Sequence, residues 1–195
     1  GGRCQEYPYL AHLQTAAAGV RNKIKRDATM TTGAAWASDD AGPNRIVRWA
    51  MLASDEKLRD FDLDMSKLKP GVVAKVREKA ATYDECMAVA MKLTSLAYGM
   101  ANAPAPPDEI SSYLRDALGH PIGTTVCMIC REPLDFASFA QARRGKAEIE
   151  TAHANPRLHT PENVGFAHRP CNIAQGPKTL DEFYEWIAAI VERVG

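Results

Sequence analysis

Along residues 5–118 the apolar positions recur at helical rather than strand spacing, with few β-branched runs, so this stretch is predicted to be mostly helical. The clearest stripe follows Pro70. Val73, Val76, Ala80, Tyr83, Met87, Ala90 and Ala97 fall three, four or seven residues apart, and Pro70 suits a first-turn position. One helix carrying this stripe into a core is expected, with Met87 and Met91 as filler rather than ligands. Shorter helices are expected around Leu10–Lys25, Ile46–Leu58 and Glu109–Leu118, with Trp36 and Trp49 in the core. Ala101-Asn-Ala-Pro-Ala-Pro-Pro107 reads as a linker, because its prolines cannot continue a helix. Gly119-His-Pro-Ile-Gly123 breaks the chain again, and beyond it come short β-prone pieces, cysteines and histidines. A functional boundary is expected there, between 1–118 and 119–195. The chain closes on a helix opened by the capping box Thr179-Leu-Asp-Glu182, with Leu180, Phe183, Ile187, Ile190, Val191 and Val194 on its apolar face and Trp186 packing beside them. No internal repeat is evident.

At 195 residues, 46% hydrophobic and 25% charged, the chain is of ordinary globular make-up, which excludes collagen-like, low-complexity and disordered-tail classes. No apolar run reaches the roughly 18 residues of a membrane span. The opening Gly1-Gly2-Arg3 lacks a methionine and a hydrophobic signal core, and reads as a processing scar on a soluble, cytoplasmic protein. Lys plus Arg and Asp plus Glu each number 24, and the two halves are balanced at 16 basic against 15 acidic and 8 against 9. Bulk charge therefore gives no argument for a nucleic-acid partner. The local patches Arg21, Lys23, Lys25, Arg26 and Arg143, Arg144, Lys146 each read, alone, as solvated faces.

Chemistry is concentrated in the last third. Cys127-Met-Ile-Cys130 and His168-Arg-Pro-Cys171 form two knuckles, and four ligands to one structural zinc ion are their simplest account. A thioredoxin-like reading of the first pair lacks the βαβ context it needs. Cys4 and Cys86 are read as a free terminal thiol and a small buried hydrophobe, and His12 and His120 as ordinary helix and turn residues.

Between the knuckles lie Glu150-Thr-Ala-His153-Ala-Asn-Pro156 and Asn163-Val-Gly-Phe-Ala-His168-Arg-Pro-Cys171-Asn172. Here, over roughly residues 124–178, the chain resembles the HNH, or ββα-metal, endonucleases. It shares a His three residues before a Pro, an Asn five residues before the second zinc pair, and an Asn after the last zinc ligand, with Gln175-Gly176 in place of the frequent Lys-Gly. The resemblance implies a zinc-braced ββα-metal module, and with the periodicity on either side the chain is expected to be α+β: a mostly helical N-terminal region, left by elimination to supply substrate recognition, then that module and a C-terminal helix. It implies His153 as general base, Asn163 as brace of the inter-strand loop through backbone hydrogen bonds, and Asn172 as ligand to a catalytic Mg²⁺ or Mn²⁺. The products would carry 5′ phosphate and 3′ hydroxyl ends.

Departures from the family pattern are specific. Many members place an Asp or His just before the catalytic His, where this chain has Ala152. Glu150 is the candidate replacement, although on a strand it needs a twist or bulge to face the side of His153; a plain surface Glu is the other reading. The usual Gly-Gly loop is replaced by Arg157-Leu-His-Thr-Pro161, in which His159 reads as a solvated loop histidine, with a metal or phosphate contact as the alternative. Arg157 and Arg169 are candidate phosphate contacts, or surface arginines. The expectation is a metal-dependent nuclease of double-stranded DNA, preferably in restriction or defence, with homing, phage-packaging and recombination roles open and a homodimer suited to double-strand cuts. A non-catalytic zinc module holding DNA or a protein, and an RNA-directed nuclease, are the rivals.

Overall fold

The computed structural model describes residues 13, 19–21, 23–24, 51–60, 62–78, 80–118, 125–139 and 147–195. Leu13, Gly19–Arg21, Lys23 and Ile24 are helical, and Leu13, Val20 and Ile24 are fully buried. The remainder of that predicted helix, the start of the one at 46–58, the break at 119–123, Cys4, His12, His120, Trp36, Trp49, Lys25, Arg26 and the Arg143–Lys146 patch lie outside the described residues.

The helical region is built from short pieces. Helix α1 (Asp55–Arg59) starts at Ser54, whose hydroxyl accepts from the Lys57 N–H. The stripe after Pro70 forms two helices rather than the expected one: α2 (Pro70–Glu78) and α3 (Tyr83–Tyr98). The break has a local cause. Thr82 accepts from the Glu85 N–H while the Glu85 carboxylate accepts from the Thr82 N–H, a capping box that restarts the helix. This turns Tyr83 out to solvent and makes Cys86, Val89, Ala90, Leu93 and Ala97 the buried side of α3. Val76 of α2 joins Met51, Leu58 and Met65 in a small satellite core, which Arg77 closes by donating to the carbonyls of Met51 and Ala53. Helix α4 (Asp108–Leu118) follows the proline linker, as its composition predicts.

Strands β1 (Ile149–His153) and β2 (Val164–His168) form a two-stranded antiparallel sheet, pairing Ile149 with His168 and His153 with Val164. Helix α5 (Arg169–Gln175) leaves β2 directly, with Pro170 in its first turn where no N–H partner is needed. It packs across both strands. Gly176 ends it at φ +58, a backbone state that disfavours any side chain. Helix α6 (Leu180–Val194) opens with both bonds of the Thr179–Glu182 capping box. Its apolar face is only half used: Leu180 and Phe183 are buried, whereas Trp186, Ile187, Val191 and Val194 are exposed. The molecule is α+β, as expected.

Helix α3 packs on β2, so the helical region and the ββα unit share one hydrophobic core. Val89, Leu93 and Leu114 belong to the same cluster as Phe139, Ile149, Phe166 and Phe183. The contact is close at Gly99. A Cβ there would lie 2.4 Å from the Thr125 hydroxyl, which donates to the Leu96 carbonyl. Among the described residues no helix is long and apolar enough to cross a membrane.

Candidate active site and metal centre

The two knuckles meet. Cys127, Cys130, His168 and Cys171 each offer one ligand atom, and all four atoms lie within 4.8 Å of one another. Cys127 and Cys130 sit on a tight turn whose Arg131 adopts φ 67, while His168 ends β2 and Cys171 lies in the first turn of α5. The Met128 N–H donates to the Phe166 carbonyl, clipping this turn to β2. Cys130 Sγ is 3.4 Å from His168 Nδ1, near the about 3.5 Å expected between sulfur and nitrogen ligands of one tetrahedral ion.

The electrostatics of the group call for a cation. Burial opposes ionisation of Cys127, but backbone N–H donors from Cys130, Ile129 and His168 outweigh it and lower its pKa. Cys171 is pushed up to about 12, first by burial and then by the hydrogen bond and negative charge of its neighbours. Three sulfurs this close cannot all ionise unaided. The Cys₃His donor set can hold a metal ion and suits a soft-ligand, four-coordinate one.

On the other side of α5 the side chains are oxygen-rich. Glu150 Oε2 accepts from Asn172 Nδ2 at 3.0 Å, and Oε1 pairs with Arg169 at 3.0 Å. The twist or bulge expected for Glu150 is absent: the ladder runs without interruption from Ile149 to His153. Alternation along β1 instead puts Glu150 on the face of Ala152, from which it reaches Asn172 and Arg169 of α5. Arg169 is thus engaged by Glu150. Arg157 is exposed on the connecting loop, where its backbone N–H donates to Asn155 Oδ1.

Much of that loop, residues 154–163, is held by Asn163. Asn163 Oδ1 accepts from the Asn155 N–H at 2.7 Å, and its Nδ2 donates to the carbonyls of Asn155 and Leu158, both at 2.8 Å. The bracing carries His159 inward. This corrects the reading of a solvated loop histidine: His159 is 3% exposed, and its Nδ1 lies 3.1 Å from Nε2 of His153. The structure therefore pairs His153 with His159 and, separately, Glu150 with Asn172 and Arg169.

Gln175 is the other residue whose part the sequence did not disclose. It is buried, and its amide donates to the carbonyls of His153 and Lys178 at 2.9 and 3.0 Å, locking the end of β1 to α5 and to the approach of α6. The Tyr184 hydroxyl donates to the Ile129 carbonyl at 2.6 Å and fastens α6 to the first knuckle.

Set beside known proteins, this architecture falls with restriction-type nucleases. A solved protein described as the crystal structure of a type II restriction endonuclease is 43% identical, with a TM-score of 0.80 over 100% of this chain and 89% of that one. A search of the curated proteins returns no match. The DraIII family model matches residues 6–171, and the chain belongs to that family.

Proposed function

We propose that the protein is a restriction endonuclease that cuts double-stranded DNA through an HNH-type ββα-metal site, with residues 1–118 contributing recognition and 119–195 forming the nuclease part. The observation that carries this reading is the β1–β2–α5 unit, in which an Asn163-braced loop follows His153 and α5 presents Asn172 to Glu150. Family membership and the restriction endonuclease neighbour support the nuclease class and DNA as substrate.

In this reading His153 takes a proton from the attacking water, a role suited to an imidazole that titrates near neutrality. The new bond joins the water oxygen to phosphorus, and the bond to the 3′ oxygen breaks, leaving a 5′ phosphate. Asn172 Oδ1 and the Glu150 carboxylate are hard oxygen donors that suit Mg²⁺ or Mn²⁺, which hold few protein ligands and several waters. Such an ion supplies charge stabilisation at the phosphate and the leaving oxygen. Arg169 neutralises part of Glu150 and lies where a backbone phosphate would compete for it. Cys127, Cys130, His168 and Cys171 would hold a structural Zn²⁺ that would fix the start of α5.

The test is digestion of plasmid and modified phage DNA by wild-type and His153→Ala protein, with EDTA, Mg²⁺ or Mn²⁺, resolved on a gel. Metal-dependent cutting should fall by at least about 100-fold in the variant. Equal cutting by both proteins removes His153 from the chemistry. No DNA cutting by folded, zinc-loaded wild type favours an RNA substrate if RNA is cut, and a non-catalytic binding module if it is not.

A further inference from the structure

The Glu150 carboxylate is gripped from α5 on both of its oxygens. Oε1 pairs with Arg169 Nη1 and Oε2 accepts from Asn172 Nδ2, each at 3.0 Å. Arg169 and Asn172 stand three residues apart on α5, so they reach β1 from one side of the helix. The ion pair is open to solvent: the Arg169 and Glu150 side chains are 36% and 25% exposed, and an ion or a phosphate can approach them without disturbing the core. Among the described residues, Glu150 is the carboxylate that pairs with Arg169.

We infer that Arg169 is an electrostatic latch on this carboxylate: it holds Glu150 neutralised in the free protein and passes to a DNA backbone phosphate when substrate arrives, coupling divalent-ion binding to DNA binding. This rests on the reading of Glu150 and Asn172 as oxygen ligands to Mg²⁺ or Mn²⁺. Such ions are drawn to oxygen donors largely by charge. In the free protein Glu150, Arg169 and the neutral Asn172 together carry no net charge, and an ion approaching Glu150 also approaches a guanidinium. The latched site therefore holds an ion weakly. A phosphodiester offers the guanidinium fork a second planar pair of anionic oxygens, as a carboxylate does. Once Arg169 moves to it, Oε1 is released and the full negative charge of Glu150 faces the ion beside the phosphate that needs it. The ion pair is partly exposed and screened by water, so the latch is modest, about 5-fold in ion affinity. Free protein is thereby kept poor in the divalent ion, and the ion is gathered where substrate already lies.

The first arm of the test needs no cleavage. Mn²⁺ is titrated into full-length, zinc-loaded protein without DNA, and the free ion is followed by electron paramagnetic resonance. Arg169→Ala and Arg169→Gln, which lose the charge, should bind Mn²⁺ about 5-fold more tightly than wild type. Arg169→Lys should stay near the wild-type value, and Glu150→Gln should lose the binding. If Arg169 merely props Glu150 in place, the sign reverses, because a carboxylate left loose holds an ion less well. Equal or weaker binding in the uncharged variants overturns the latch, as does Mn²⁺ binding that survives Glu150→Gln; Arg169→Gln keeps a polar stem and serves where Arg169→Ala does not fold. In the second arm, the Mn²⁺ concentration that half-saturates plasmid cutting is compared with the Kd of the free protein. In wild type it should lie at least about 5-fold lower, and the gap should shrink in Arg169→Gln. A gap that stays the same in Arg169→Gln assigns the coupling to the phosphate alone and overturns the latch. No gap in wild type, alongside a dead His153→Ala, overturns the coupling and leaves the nuclease reading intact. No plasmid cutting by folded, zinc-loaded wild type overturns the coupling together with the DNA reading on which it rests.

Discussion

Single side chains hold this site in shape, Asn163 prominent among them. Its amide makes three hydrogen bonds to the backbone of the loop that carries His159, in a place that is 9% exposed. Asn163→Ala would remove a partner from the Asn155 N–H and from the Asn155 and Leu158 carbonyls, of which the Asn155 carbonyl keeps the Leu158 N–H. We expect a loss of about 3 kcal/mol in urea unfolding, from three bonds near 1 kcal/mol each; a loss under about 1 kcal/mol would mean that the loop holds itself. His153→Ala should behave differently, costing about 1 kcal/mol or less while zinc content stays constant. A large drop in melting temperature would make His153 structural. At this scale the sequence was informative where chemistry and spacing coincide, as in the four Cys and His residues that come together and in Asn163, whose side chain bonds to the loop backbone. It was silent on His159 and Gln175. Their burial follows from the path of a loop and a helix exit, and no period or motif encodes that path.

Whole elements are fixed by a few contacts at their ends. Gly99 lets α3 run up against Thr125, and Gly99→Ala, which forces a methyl to within 2.4 Å of the Thr125 hydroxyl, should cost about 2 kcal/mol in thermal or chemical unfolding. An unchanged stability would show that Thr125 moves aside freely. A metal ion held by Cys127, Cys130, His168 and Cys171 would anchor helix α5. Without an ion Cys171 keeps its proton at neutral pH, because its pKa lies at about 12. Zinc added to the stripped protein at pH 7 should therefore release at least one proton, seen with a pH indicator in weak buffer, and lowering the pH should release the metal. No proton release on tight zinc uptake would exclude Cys171 as a thiolate ligand. The capping box before α6 was legible in Thr179 and Glu182. The equivalent signal in Thr82 and Glu85 was masked by an apolar stripe that ran on through the break. Glu150 reaches Asn172 and Arg169 without the bulge expected for it, because it lies with Ala152 on one face of β1.

The molecule as a whole is joined by its core, whatever the division of labour between its halves. Val89 and Leu93 from α3 lie in the cluster that covers Phe166 and Ile149 of the sheet. A fragment of residues 119–195 should therefore bind zinc yet melt broadly and well below the full chain; a sharp transition near that of the full chain would show a module able to stand alone. Apolar periodicity could predict that both halves have a buried side, but not that each buries it against the other. The adjacency of Cys171 and Asn172 on α5 carries a further consequence. Of the four metal-binding residues, Cys130 is the exposed one, so a peroxide or other electrophile meets it first. Its oxidation would remove one ligand from an ion held by these four residues, at the turn that bears Asn172. Cutting by this protein should then follow the thiol redox state of its surroundings, failing under oxidant and returning with a thiol reductant and zinc, although no group that handles the phosphate has itself been modified.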